Sequence, residues 1–203
     1  MKTGSRVAGD QKLIQIIDAA LADAKRRSGE WLACRKGCTQ CCVGVFPINE
    51  LDAERLQRGL IALAAGDPRR ADAVKARAGK AVARLSAEFP GDPRTGLLGT
   101  TREQRGRFES FGNEEPCPAL DPVLGTCDLY ESRPMTCRTF GPPLRAEGGL
   151  GVCELCYQGC SDEEIAACEI IPDSDDLESR LLREVRRSTG RRGDTIVAFA
   201  LAA

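Results

Sequence analysis

Eleven cysteines and no histidine constrain this 203-residue chain more than any other feature. The cysteines are grouped. Cys34, Cys38, Cys41 and Cys42 lie within one short stretch, and Cys117, Cys127 and Cys137 follow at two equal spacings. Cys153, Cys156 and Cys160 form a third group, with Cys168 alone beyond it. Without histidine there is no Ser-His-Asp or Cys-His nucleophile system, no Cys₂His₂ zinc finger and no two-His-one-carboxylate iron site. Rieske centres and His-ligated haem are excluded as well. A transition metal on this chain is therefore held mainly by sulfur, and thiolates suit zinc, copper(I) and iron–sulfur clusters. Short Cys-x₂-Cys and Cys-x₃-Cys spacings let one tight loop offer two sulfurs to one centre. Gly37, Gly44, Gly125 and Gly159 beside the cysteines help such loops turn. The polar stretch from Cys34 to Cys42 is a poor place for buried structural thiols. Cys168, on the apolar side of a short helix, reads as one.

Charge and hydropathy exclude other classes. The net charge is −1, from 29 basic and 30 acidic residues, with no basic stripe, so no nucleic-acid partner is expected. No run of ~18 apolar residues is present, so no membrane span is expected. The stretch Met1 to Asp10 is polar and lacks the apolar region of a signal peptide, which predicts a cytoplasmic location. In that reducing compartment, clustered cysteines more often serve metal or redox chemistry than disulfides.

Periodicity predicts helices from about Asp10 to Arg27, from Glu50 to Ala65 behind an Asn49 cap, and over Ala71 to Leu85. Thr101 with Gln104 and Ser161 with Glu164 fit capping boxes for two short helices. Ser174 is the predicted cap of a helix carrying Leu177, Leu181, Leu182 and Val185. The tail Asp194 to Ala203 reads as helical, although Thr195-Ile196-Val197 would suit a strand. Phe89 to Gly99 reads as loop, and Asn113 to Gly159 shows little periodicity. The predicted fold is mostly α, a helical shell around an irregular, metal-stapled cysteine-rich core. A single domain over 1–203 is expected. Its cysteine core takes in about 31–48 and 113–168, with a helical insertion at about 49–112 and C-terminal helices at about 174–203. Aromatic residues are only 4% of the chain, so such a loop-rich centre needs a stabiliser, and a metal supplies one.

Three stretches carry a family resemblance: Cys38-Thr-Gln-Cys41-Cys42, Pro116-Cys117-Pro118-Ala119-Leu120, and the run from Gly125-Thr-Cys127 through Tyr130, Arg133-Pro134 and Cys137-Arg138-Thr-Phe140. Together they resemble the CxxCxxCC cysteine-cluster family over about Cys34 to Phe140. The resemblance implies a zinc- or iron-chelating domain. Many members carry the label of iron–sulfur oxidoreductase, and a related cluster occurs in flagellin lysine N-methylases. Two departures stand out. Cys34 and Cys38 have three residues between them where the family name implies two. Cys153, Cys156 and Cys160 lie outside the motif, so they either complete the same site or make a second one.

The expected metal ligands are Cys34, Cys38, Cys41, Cys42, Cys117, Cys127, Cys137, Cys153, Cys156 and Cys160. A first site drawing on Cys38, Cys41, Cys42, Cys117, Cys127 and Cys137 is preferred. Arg133 and Arg138 are candidates to offset thiolate charge and to donate hydrogen bonds to sulfur. Tyr130 and Phe140 are expected to form an apolar shell. A single zinc needs four sulfurs at ~2.3 Å in a closed tetrahedron, which adjacent Cys41 and Cys42 suit poorly because neighbouring side chains diverge. One or two [4Fe–4S] clusters are therefore favoured, with Zn²⁺ as the alternative. The leading functional expectation is a redox or electron-transfer protein working with a partner. If the chain is an enzyme, an iron–sulfur oxidoreductase is favoured. A zinc-binding structural or interaction module comes second, and a methyl-transfer enzyme third.

Overall fold

The computed structural model describes residues 3–35, 37–146, 149–190 and 192–203. Met1 and Lys2, at the start of the polar N-terminal stretch, lie outside them. Eight α-helices follow one another along the described residues. They are α1 (Thr3–Ser28), α2 (Glu50–Gly66), α3 (Pro68–Leu85) and α4 (Arg102–Phe108), then α5 (Met135–Thr139), α6 (Asp162–Ala167), α7 (Leu177–Thr189) and α8 (Val197–Ala202). Six short strands make three separate antiparallel hairpins: β1 (Gly91–Asp92) with β2 (Leu97–Leu98), β3 (Leu120–Asp121) with β4 (Thr126–Cys127), and β5 (Leu144–Ala146) with β6 (Gly149–Gly151). The fold is mostly α, as periodicity predicts. No helix among the described residues is long and apolar enough to cross a membrane.

The chain divides into two compact units, Met1–Lys36 with Met135–Ser188, and Gly37–Pro134 with Thr189–Ala203. In the first unit, α1 buries Leu13, Ile17 and Ala24, and α7 buries Leu181 and Val185. Helix α1 starts ahead of the predicted Asp10. Its first turns have no apolar period, yet Arg6 donates to the Ser188 hydroxyl of α7 at 2.7 Å and Asp10 is buried. Tertiary partners extend the helix where local pattern is silent. The predicted Ser161–Glu164 capping box opens α6, with both reciprocal bonds made. At α7 the predicted cap is corrected. Asp173, not Ser174, accepts from the Leu177 and Glu178 amides, at 3.0 and 2.8 Å. A carboxylate offers two acceptor oxygens and a charge that suits the positive end of the helix dipole. The stretch expected to be irregular also holds α5, a single turn launched by Pro134 and too short for periodicity to reveal.

In the second unit, Asn49 accepts from the Asp52 amide to start α2, and Asp67 accepts from the Arg70 amide to start α3 behind Pro68. Leu56 and Leu60 of α2, Ala71, Val74 and Ala78 of α3, and Ala200 and Leu201 of α8 form one apolar core. Each fully buried leucine in such a core contributes roughly 1.5–3 kcal/mol. Four of the six phenylalanines, Phe89, Phe108, Phe111 and Phe199, gather in a neighbouring cluster with Ile196. The few rings are thus concentrated rather than spread. The segment expected to be a loop at Phe89 to Gly99 is a β1–β2 hairpin, and Phe89 is buried in that cluster. The tail uses both readings of its sequence. Thr195 pairs with Ile48 as an antiparallel bridge, with bonds of 2.8 and 2.9 Å, and the helix then begins at Val197.

Candidate metal centre

Among the described residues no cysteine is joined in a disulfide. In the second unit, backbone pairing brings two distant cysteine segments together. A 3₁₀ turn over Gln40–Cys42 presents Cys41 and Cys42. The Cys117 amide donates to the Cys42 carbonyl at 2.8 Å, Val43 bridges Pro116, and the Gly44 amide donates to the Glu115 carbonyl at 2.9 Å. Gly44 permits this approach. Its φ is +91°, and a Cβ there would stand 3.1 Å from the Asn113 carbonyl oxygen. Within the β3–β4 hairpin, Leu120 sits opposite Cys127, and the Leu120 amide donates to the Cys117 carbonyl at 3.0 Å. Cys117 and Cys127 are therefore held on one small scaffold. Both pack against the α2–α3–α8 core.

The electrostatics tie these four thiols together. Cys42 donates a hydrogen bond to the Cys41 sulfur, which favours the Cys41 thiolate and pulls its pKa down, helped by the charge of Arg133. The same bond pushes Cys42 up, and burial and the charges of Cys41, Cys117 and Cys127 add to it. Burial pushes Cys117 up to about 12 and raises Cys127, the latter opposed by the Leu129 amide and by Arg133. Cys42 thus feels the charge of the other three, and Cys41 acts on Cys117 and Cys127 as well. The charge of Arg133 favours the thiolate forms of Cys41 and Cys127. Arg133 lies 3.6 Å over the Tyr130 ring, and its Nε donates to the Tyr130 carbonyl at 2.9 Å. Tyr130 is accordingly a half-exposed platform for Arg133 rather than part of a closed apolar shell, and Phe140 is 43% exposed.

Helix α3 clamps the hairpin by a device the sequence reading missed. Arg70, Arg77 and Arg84 recur every seven residues along one face. Arg70 and Arg77 both pair with Asp128, at 2.7 and 2.6 Å, and Asp128 adjoins Cys127 and has a side chain only 2% exposed. Arg77 also donates to the Pro118 carbonyl beside Cys117 at 2.8 Å. Arg84 pairs with Glu115, whose carboxylate is thereby engaged as an ion-pair partner. The seven-residue spacing of arginines was the available signal. Replacing Arg77 with alanine is expected to cost about 1–3 kcal/mol, because a buried carboxylate and a carbonyl lose a donor. Arg70→Ala should cost under about 1 kcal/mol, since that arginine is half exposed. Denaturant midpoints of the two variants measure the difference.

Apart from Cys38, the remaining predicted residues fall in the first unit. Cys34 donates to the Phe140 carbonyl at 3.8 Å, and Cys137 lies on α5. Arg138, nearly inaccessible to solvent, pairs with Asp18 of α1 at 2.8 Å. Cys153 and Cys156 are buried in one cluster with Cys168, and Cys34 and Cys160 pack against it. Cys38, on the loop before the 3₁₀ turn of the second unit, is partly exposed.

Among the described residues, no three Cys, Asp or Glu side chains already converge as ligands to one ion. The donor set nevertheless fits a thiophilic metal in its chemistry. Cys41, Cys42, Cys117 and Cys127 are soft sulfur donors of the kind that zinc and iron–sulfur clusters select, and Arg133 offers positive charge beside Cys41 and Cys127.

No curated protein and no solved structure matches the chain. A family model does, over residues 33–143, and its description is "Putative zinc- or iron-chelating domain". That span is more than half of the chain, and it takes in Cys34, the whole four-thiol neighbourhood, and Cys137. The chain belongs to the CxxCxxCC family, and it is a cysteine-ligated metal-binding protein of the zinc- or iron-chelating kind.

Proposed function

We propose that the chain binds an iron–sulfur cluster of the [4Fe–4S] type and serves as a redox protein that exchanges electrons with a partner protein. The observation that carries this reading is the adjacency of Cys41 and Cys42 within one charge-coupled group with Cys117 and Cys127. A lone zinc asks four sulfurs to close on one point. The hydrogen bond that joins Cys41 to Cys42 here needs the Cys42 proton, which ligation removes, and two adjacent thiolates then suit separate corners of a larger centre better than one closed tetrahedron. When bound, such a cluster supplies one-electron transfer. The residues that would hold it are Cys41, Cys42, Cys117 and Cys127, with Cys38 next to them in sequence. Arg133 offsets thiolate charge, and positive charge beside the sulfurs raises a potential. The α3 arginines hold the Cys117 and Cys127 scaffold from behind.

The test is anaerobic purification with a visible spectrum and counts of iron, sulfide and zinc. A brown protein with about four iron and four sulfide per chain is expected. An iron-free, colourless preparation with zinc at this site would overturn the proposal and favour a structural zinc module.

A further inference from the structure

We infer that the first unit carries a second metal site, a zinc tetrahedron closed by Cys153, Cys156, Cys160 and Cys168. None of these cysteines lies within the residues matched by the family. The inference does not depend on the iron–sulfur reading of the first site.

Three of the four belong to one tight loop. The Cys156 amide donates to the Cys153 carbonyl at 2.9 Å, and the Cys160 amide donates to the Tyr157 carbonyl at 3.2 Å. The loop is bent hard. Tyr157 has φ of +58°, an uncommon conformation for a bulky side chain, and Gly159 has φ of +78°. Such strain persists only where surrounding structure over-determines it. Here Tyr157 is tied at both ends: its amide donates to the Trp31 carbonyl at 2.8 Å, and its hydroxyl bonds Ser28. The same hydroxyl meets the Cys168 side chain. Cys168 arrives from α6, which ends there, and is 2% exposed. Cys153 and Cys156 are buried with it, and Cys160 packs against the three.

The Cys-x₂-Cys and Cys-x₃-Cys spacings suit one small ion, and no two of these four are adjacent in sequence. Apolar Leu32 and Ile165 pack against the cluster, and four cysteines leave a zinc no open position, as a structural rather than catalytic site requires. The Tyr157 hydroxyl would support the Cys168 thiolate from the outer sphere. The sulfurs do not converge as ligands without the ion, so metal binding would complete the site by drawing them onto it.

The test is zinc content of the purified full-length chain and three variants. Cys156→Ser and Cys168→Ser are each expected to lose about one zinc per chain, while Cys41→Ser/Cys127→Ser keeps it and loses the metal of the first site. Full zinc retention in both single variants would overturn the inference. Loss of that zinc from the Cys41→Ser/Cys127→Ser chain would also overturn it, because the four cysteines would then not form a site of their own. Iron missing from the unaltered chain strikes only the proposal for the first site. Alkylation of the unaltered chain guards against variants that fail to fold. Chelation under native conditions should raise labelling of Cys153, Cys156, Cys160 and Cys168 together, and labelling unchanged by chelation would overturn the site.

Discussion

Replacing Asp52 with alanine is expected to lower the free energy of unfolding by about 3–5 kcal/mol. Asp52 and Arg55 form an ion pair one helical turn apart in α2, with side chains 3% and 4% exposed. Removing the carboxylate takes from a buried guanidinium its ion-pair partner, and breaking a buried pair on one side costs far more than losing a surface pair. The loss should reach the metal centre, because Arg55 also donates to the Arg133 carbonyl at 3.4 Å. The companion change Glu54→Ala isolates the effect. Glu54 pairs with Arg58 at 3.8 Å on a more exposed face of the same helix, so it should cost under about 1 kcal/mol. Urea denaturation of the two variants decides the point, and equal midpoints would contradict it.

The second large effect concerns the ligands. Cys41→Ser combined with Cys127→Ser should abolish metal binding in the second unit. That exceeds the roughly 10–100-fold weakening expected when only an outer-sphere group such as Arg133 is removed. Serine nearly preserves shape but offers a hydroxyl where a soft metal needs a thiolate. Metal per chain after gel filtration, and loss of visible absorbance, measure the result. The melting temperature should fall as well, since metal binding contributes directly to folding free energy. Cys156→Ser should leave this site filled. Equal loss of metal from this site in all three positions would mean that the cysteine groups share one centre.

Legibility in the sequence followed the range of the interaction. The capping boxes at Thr101–Gln104 and Ser161–Glu164 were readable because both partners lie within one turn. Composition points to Ser174 as the cap of α7, but two amides turn instead to Asp173, since the choice depends on how the chain enters the helix. The α5 turn was too short for periodicity to show. The arginine row on α3 was visible as spacing, but its partners Asp128 and Glu115 come from another part of the chain. By sequence alone Cys168 reads as an ordinary buried thiol. Only its place among Cys153 and Cys156 gives it a candidate role.

Eleven cysteines without a histidine determined by themselves that any transition-metal site here is built mainly from sulfur, and the motif spacing determined the family. Those properties are local and compositional. Which sulfurs become neighbours was decided by tertiary structure. Cys42 meets Cys117 through backbone bonds between segments separated by three helices, and Cys168 meets Tyr157 where α6 happens to end. Hydrogen-bond partners of that kind are chosen by packing of the whole unit, because every buried backbone group must find a partner somewhere and the sequence does not name it.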